Sequence, residues 1–134
     1  MPLGSPTAVY VFDASSLIQL ERRKLLKILT ELGDRVEIPE RVKREVNTAR
    51  SDLEGWLRKN PGRVARFLTV EHSLYYQFII QRDPSIGDGE AAAMATALNR
   101  GHVLVIDDAT PRSKAQSHGV TCLSADQFLS QPLL

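Results

Sequence analysis

Apolar positions along the chain follow two rhythms, short runs rich in β-branched residues and longer stretches with apolar residues three or four apart. Their alternation predicts strands that each lead into a helix, the pattern of a parallel sheet covered by helices. Val9-Tyr10-Val11-Phe12 is the first strand, and from Ser15 onward Ile18, Leu25, Ile28, Leu29 and Leu32 fall on one helical stripe. Gly33 follows as a left-handed cap. Val36-Glu37-Ile38 is a short second strand, and Pro39 suits the first turn of a helix carrying Val42 and Val46. Another helix, around Leu53, Trp56 and Leu57, stops at Asn60-Pro61-Gly62. Phe67 to Val70 reads as the third strand, and Leu74, Tyr75, Phe78 and Ile79 give the next helix its buried face until Asp83-Pro84 ends it. Glu90 to Asn99 holds five alanines and predicts a strong helix able to pack close to a sheet, closed by Gly101. His102 to Ile106 is the most continuous apolar run and reads as a central strand buried on both faces. Ala109 to His118 is then a helix capped by Gly119, Val120 to Leu123 a last strand, and Ser124 the N-cap of a short final helix.

A chain of 134 residues is long enough for one core and too short for two. We therefore expect a single domain over 8–134, with residues 1–7 a disordered segment or a cloning remnant of the Pro-Leu-Gly-Ser kind. Hydrophobic residues at 43% and charged residues at 25% argue against both disorder and a membrane class. No apolar run reaches the roughly 18 residues of a spanning helix, and the start lacks the layout of a secretory signal, so the expected location is the cytoplasm. Cys122, the single cysteine, reads as a buried packing residue.

Net charge is only +1, which argues against a strongly basic nucleic-acid binder, yet the charge is unevenly spread. Basic residues cluster as Arg22-Arg23-Lys24, Arg41/Lys43/Arg44 and Arg58/Lys59, while carboxylates fall at strand ends and helix starts. In an open parallel sheet ligands bind beyond the carboxyl ends of the strands, where Asp13 follows the first strand and Asp107 and Asp108 follow the apolar run. If those strands are neighbours, the carboxylates meet at one rim, and such a group of anions makes sense around a cation. Oxygen ligands of this kind select Mg2+ or Mn2+ over zinc. Each acid also has a plainer reading. Asp13, Asp88 and Asp108 can be helix N-caps, Glu90 a first-turn carboxylate favoured by the helix dipole, and Glu45 a surface charge. The glycines of Gly87-Asp88-Gly89-Glu90 let the backbone approach closely and leave the two acids unobstructed. His72, His102 and His118 read as structural.

Four strings together resemble the PIN-domain nucleases, most closely the toxins of VapC type. They are Val11-Phe12-Asp13-Ala14-Ser15-Ser16-Leu17-Ile18, Ile38 to Val46 with its proline and Glu45, Gly87 to Ala97 with Glu90, and Val105-Ile106-Asp107-Asp108 followed by Arg112, Ala115 and Gly119. They come in the family's order and span Val9 to Leu123. The resemblance implies a three-layer α/β/α sandwich with a parallel sheet and a Mg2+- or Mn2+-dependent ribonuclease site. It assigns catalytic acids to Asp13, Glu45 and Glu90 and the fourth to Asp107 or Asp108, with metal ligands among Asp13, Glu90, Asp107, Asp108 and Asp88. Ser15 matches the hydroxyl beside the first acid, holding its rotamer or binding a metal water. It further implies an RNA substrate, a small antitoxin protein that blocks the site, and a homodimer. Arg22, Arg23, Arg41, Lys43, Arg44 and Arg112 are candidates for RNA phosphate contact, and no clear platform for stacking bases stands near them. The alternatives are a non-catalytic PIN-like module that binds RNA or protein, and a phosphatase or receiver-type domain, which would need a lysine after the last strand that this sequence does not offer.

Overall fold

The computed structural model describes residues 7–46, 51–80 and 86–132. Strands β1 (Tyr10–Phe12), β2 (Val36–Pro39), β3 (Val64–Ala65), β4 (Val103–Val105) and β5 (Cys122–Leu123) form one parallel sheet in the order β3-β2-β1-β4-β5. Between β1 and β2 run α1 (Ala14–Arg22) and α2 (Lys27–Leu32), and between β2 and β3 run α3 (Glu40–Val46) and α4 (Ser51–Lys59). The crossover from β3 to β4 is α5 (Thr69–Ile80) and α6 (Asp88–Arg100), α7 (Ala109–Ser117) leads to β5, and α8 (Ala125–Leu129) follows it. Right-handed crossovers put α1 to α4 on one face and α5 to α7 on the other, giving the expected α/β/α layering. The direction of strand addition reverses between β1 and β4, so a crevice opens beyond their carboxyl ends.

Val11 lies opposite Glu37 of β2 and Leu104 of β4, so β1 is the centre of the sheet, and the run expected to be central is its neighbour. Tyr10 and Phe12 share a face of β1, and both meet the ring of Phe128 from α8 at centroid distances of 5.1 and 5.2 Å. Ala91, Ala92, Ala93, Ala95 and Ala97 are all buried, which brings α6 close to the strands it covers. Gly101 takes the left-handed cap at φ 67°.

The structure corrects the sequence reading in two elements. The stripe from Ser15 to Leu32 is two helices, separated where Lys24 adopts φ 58° and the N–H of Leu25 bonds back to Leu20. A straight helix of that length would extend about 27 Å, whereas strands of three or four residues span about 10 to 13 Å, so the chain folds back to keep Leu29 and Leu32 buried. The third strand is Val64–Ala65, not Phe67 to Val70. Thr69 already begins α5, because Glu71 reaches back to accept the N–H of Leu68 at 2.9 Å, and Leu68 and Val70 stay exposed. The expected helix end at Asp83-Pro84 and most of the N-terminal segment lie outside the described residues. Among the described residues no helix is long and apolar enough to cross a membrane. Cys122 is buried, and burial raises its thiol pKa to about 11.

The α5 and α6 layer is joined to the sheet by a partly buried ionic network. Arg100 donates from Nε to Glu71 at 2.7 Å and from Nη1 to Glu37 at 2.7 Å, while Nδ1 of His102 lies 2.6 Å from the other oxygen of Glu37. Glu71 is fully buried and also accepts from Asn99. Burial alone would raise its pKa, but the hydrogen bonds from Arg100, Leu68 and Asn99 outweigh that and hold it below the ordinary glutamate value. A carboxylate with a pKa lower folded than unfolded contributes its stability in full above the unfolded value and loses it as pH falls through the folded one. Urea unfolding from pH 3 to 7 should therefore show stability falling below about pH 4.5. Glu71→Gln should cost roughly 3 kcal/mol at neutral pH, because it leaves Arg100 poorly paired, and should flatten that acid limb. An unchanged acid limb would contradict this account.

Candidate functional site

Asp13 leaves β1 with its N–H on the carbonyl of Val105, 3.2 Å away, so the ends of β1 and β4 are fastened side by side. Ser16 strengthens the fastening: the single proton of its hydroxyl is shared between the carbonyls of Asp13 and Val105, at 3.0 and 2.8 Å. The carboxylate of Asp13 is buried. Oδ1 accepts the N–H of Ser16 at 2.9 Å as the N-cap of α1, and Oδ2 accepts the hydroxyl of Ser15 at 2.6 Å. Ser15 in turn accepts the N–H of Asp107 at 3.1 Å, linking the two strand ends a third time. Burial raises the pKa of Asp13, against the hydrogen bonds from Ser15 and Ser16, and Asp108 adds a smaller upward push.

Glu90 enters from the first turn of α6. Its Oε1 accepts the N–H of Gly87 at 2.8 Å, while Oε2 is shielded from solvent and has no hydrogen-bond partner among the described residues. Burial raises its pKa first, and the charges of Asp13, Asp108 and Glu45 raise it further, against the hydrogen bond from Gly87. Glu45, from α3, accepts the N–H of Gly89 at 2.8 Å. A Cβ on Gly89 would fall 2.7 Å from the carboxyl carbon of Glu45, so glycine is needed here to let α3 reach α6. The charges of Asp13, Glu45 and Asp108, from three other elements, thus all reach Glu90, and that of Asp108 also reaches Asp13.

The doublet divides in two. Asp108 is exposed, makes no side-chain cap bond to α7 and acts on both Asp13 and Glu90. Asp107 turns its Oδ1 to the N–H of Ala125 at 3.0 Å, capping α8. The structure does not bring it into the set. Asp88 is likewise held elsewhere, by the hydroxyl of Tyr75 and by Arg41 at 3.4 Å. Among the described residues no group of three or more acids, histidines or cysteines is placed to hold a metal ion, so an ion at Asp13, Glu90 and Asp108 would require these side chains to draw together around it, with waters completing its shell, as Mg2+ allows. The all-oxygen donors and the unpartnered Oε2 of Glu90 fit such an ion.

The basic candidates also separate. Arg22 and Arg23 lie at the far end of α1, about 13 Å of helix from Asp13, and Arg23 pairs with Asp126 at 2.6 Å. Arg112 donates to the carbonyls of Ile106 and Asp107, at 3.1 and 3.0 Å, and so shapes the loop after β4. Arg41, Lys43 and Arg44 sit on α3, which starts at the rim. Aromatic rings do lie beside Arg41, which stands over those of Tyr75 and Phe67, with His72 against Phe67. Reading Phe67 as strand hid this grouping. The close backbone approach expected at Gly89 is made, toward Glu45; Ser16 and Tyr75 do not stand among the sequence candidates, and only Ser16, in the Ser15-Ser16 doublet after Asp13-Ala14, has a signal in the sequence.

A family model described as DUF3368, PIN domain, matches residues 9–124. A comparison with curated proteins finds no match. Among solved structures, FitAcB from Neisseria gonorrhoeae is similar with a TM-score of 0.60 at 14% identity, over 87% of this chain and 98% of that one. PAE2754 from Pyrobaculum aerophilum gives 0.59 at 16%, over 91% and 94%, and VapBC-1 from nontypeable Haemophilus influenzae 0.59 at 14%, over 88% and 98%. At these identities the likeness concerns the fold.

The double role of Asp13, helix cap and buried anion, makes its substitutions informative. Asp13→Asn keeps an oxygen acceptor for Ser16 and removes a charge, so melting in chelator should show stability unchanged or raised. Asp13→Ala loses the cap and should cost about 1 kcal/mol. Equal destabilisation by both would mean that the charge is not under strain.

Proposed function

Because the chain belongs to the PIN-domain family, matched over residues 9–124, we propose that it is a metal-dependent endoribonuclease that cuts RNA phosphodiester bonds at the rim of Asp13, Glu90 and Asp108. The observation that carries this reading is Oε2 of Glu90, buried without a hydrogen-bond partner among the described residues and beside other carboxylates. An unsatisfied anionic oxygen among like charges is costly, and a divalent cation offsets that cost. Asp13, Glu90 and Asp108 would hold the ion, with Glu45 adjoining it and oxygen donors favouring Mg2+ or Mn2+. When bound, it would supply Lewis acidity toward a phosphate oxygen and make water more acidic. Ser15 fixes the rotamer of Asp13 through Oδ2. Asp108 is the exposed member, on the side from which a phosphate and a water would enter.

The resemblance to VapC-type toxins, together with the likeness to VapBC-1, supports a toxin role in the cytoplasm, as a homodimer blocked by a small antitoxin protein. One feature favours the competing reading, a PIN-like module that binds RNA or protein without metal: Glu45 and Glu90 each already accept an N–H at the start of α6.

Incubating the purified protein with RNA and Mg2+ or Mn2+ separates the two. Cleavage should require the ion and fall roughly 100-fold or more in Asp13→Asn, Glu90→Gln and Asp108→Asn. Asp107→Ala should act mainly through the α8 contact with Ala125 and lose stability instead. If wild type and Asp13→Asn treat every RNA alike, the nuclease reading fails.

A further inference from the structure

A second recess lies at the same end of the sheet, over the ends of β2 and β3, with a cavity volume of about 230 Å³. Arg41 and Arg44 of α3 line one side, Arg66 and Phe67 follow β3, and His72 comes from α5. The rings of Phe67 and His72 meet at a centroid distance of 4.9 Å and an angle of 74°. The guanidinium of Arg41 stands 5.7 Å from the Phe67 centroid and 4.5 Å from that of Tyr75. Of the three arginines, Arg44 and Arg66 share Glu40, the one acid lining the recess, at 3.4 and 4.0 Å. The recess adjoins the acidic rim: Arg41 contacts Asp88, the first residue of α6 and two residues before Glu90.

We propose that this recess is a nucleotide subsite, holding one base of single-stranded RNA against His72, Phe67 and Arg41, with the neighbouring phosphates on Arg44 and Arg66. The proposal rests on the ribonuclease reading for its substrate. Bases of unpaired RNA stack on aromatic rings and on guanidinium planes, and basic groups beside them track the backbone. The cavity is smaller than the roughly 300 Å³ at which pockets for drug-sized ligands begin, which suits a single base with its phosphates outside. His72 and Arg66 are exposed and Arg44 largely so, so a strand can reach them. An acidic peptide would need the guanidinium groups alone and leave the rings idle.

The test measures binding of a labelled single-stranded RNA and of an abasic oligonucleotide of the same length, in EDTA, to the full chain carrying Asp13→Asn. The base-bearing strand should bind roughly fivefold to 100-fold tighter. His72→Ala and Phe67→Leu should remove most of that difference without changing abasic binding. His72 is exposed, so its variant guards against misfolding of the other. Arg44→Ala and Arg66→Ala should weaken both ligands and lower the salt slope by about one each. Equal affinity for the two strands, or a preference for bases that survives the double His72→Ala/Phe67→Leu change, would overturn the subsite. Base-dependent binding lost in that double variant supports the subsite even if the wild type never cleaves RNA, in which case the nuclease reading alone falls. Cleavage with an unchanged KM in the double variant would sink the subsite alone.

Discussion

Asp13 gives its backbone N–H to Val105, and this bond closes the β1 and β4 ladder at the edge where both strands release an acid. Parallel pairing at this point is what lets residues almost a hundred positions apart share a site. Ser15 and Ser16 depend on it, since each spans the two strand ends. The reversal of strand order beside β1 opens the crevice above that bond, and α6, carrying Glu90, crosses from β3 to β4 on the opposite face from α1. Slipping β4 by one residue would carry Asp108 away from Asp13 and turn every side chain of the strand to the opposite face of the sheet, so core packing and site geometry enforce the same register.

Helix N-termini manage the negative charge. Asp13 accepts from α1, Glu45 and Glu90 from the start of α6, and Asp107 from α8. Unpaired N–H groups and the dipole at each helix start favour an anion, so the fold tolerates several acids in one place without a cation. A carboxylate has two oxygens, however, and capping uses one. Glu90 satisfies Oε1 on Gly87 and leaves Oε2 buried and unpartnered among the described residues. At Glu90, then, the fold positions the acid through one oxygen and leaves the other to face the neighbouring carboxylates.

This overlap explains why the sequence alone left the acids ambiguous. An aspartate before a helix looks the same whether it caps, coordinates, or does both. The layering, β1, β4 and the alanine-rich α6 were legible because continuous β-branched runs and helix-spaced alanines have few other uses. The break at Lys24 was not, because a stripe of leucines continues through it and only the length of the strands forbids a straight helix. Phe67 to Val70 misled because β-branched and aromatic residues ran together, while the deciding contact, Glu71 to the N–H of Leu68, is invisible to periodicity. The roles of Asp107 and Asp108 turn on the position of Ala125, eighteen residues beyond Asp107, which local pattern does not encode.

The central claim is that the acidic rim holds a divalent cation between Asp13, Glu90 and Asp108. Anomalous X-ray scattering from crystals soaked in Mn2+ tests it most directly, because it locates the ion without reference to activity. The account predicts one or two peaks within coordination distance of Oε2 of Glu90 and of the Asp13 and Asp108 carboxylates, lost in Glu90→Gln crystals. No peak at saturating Mn2+, or a peak only at Asp88 or Asp107, would contradict it.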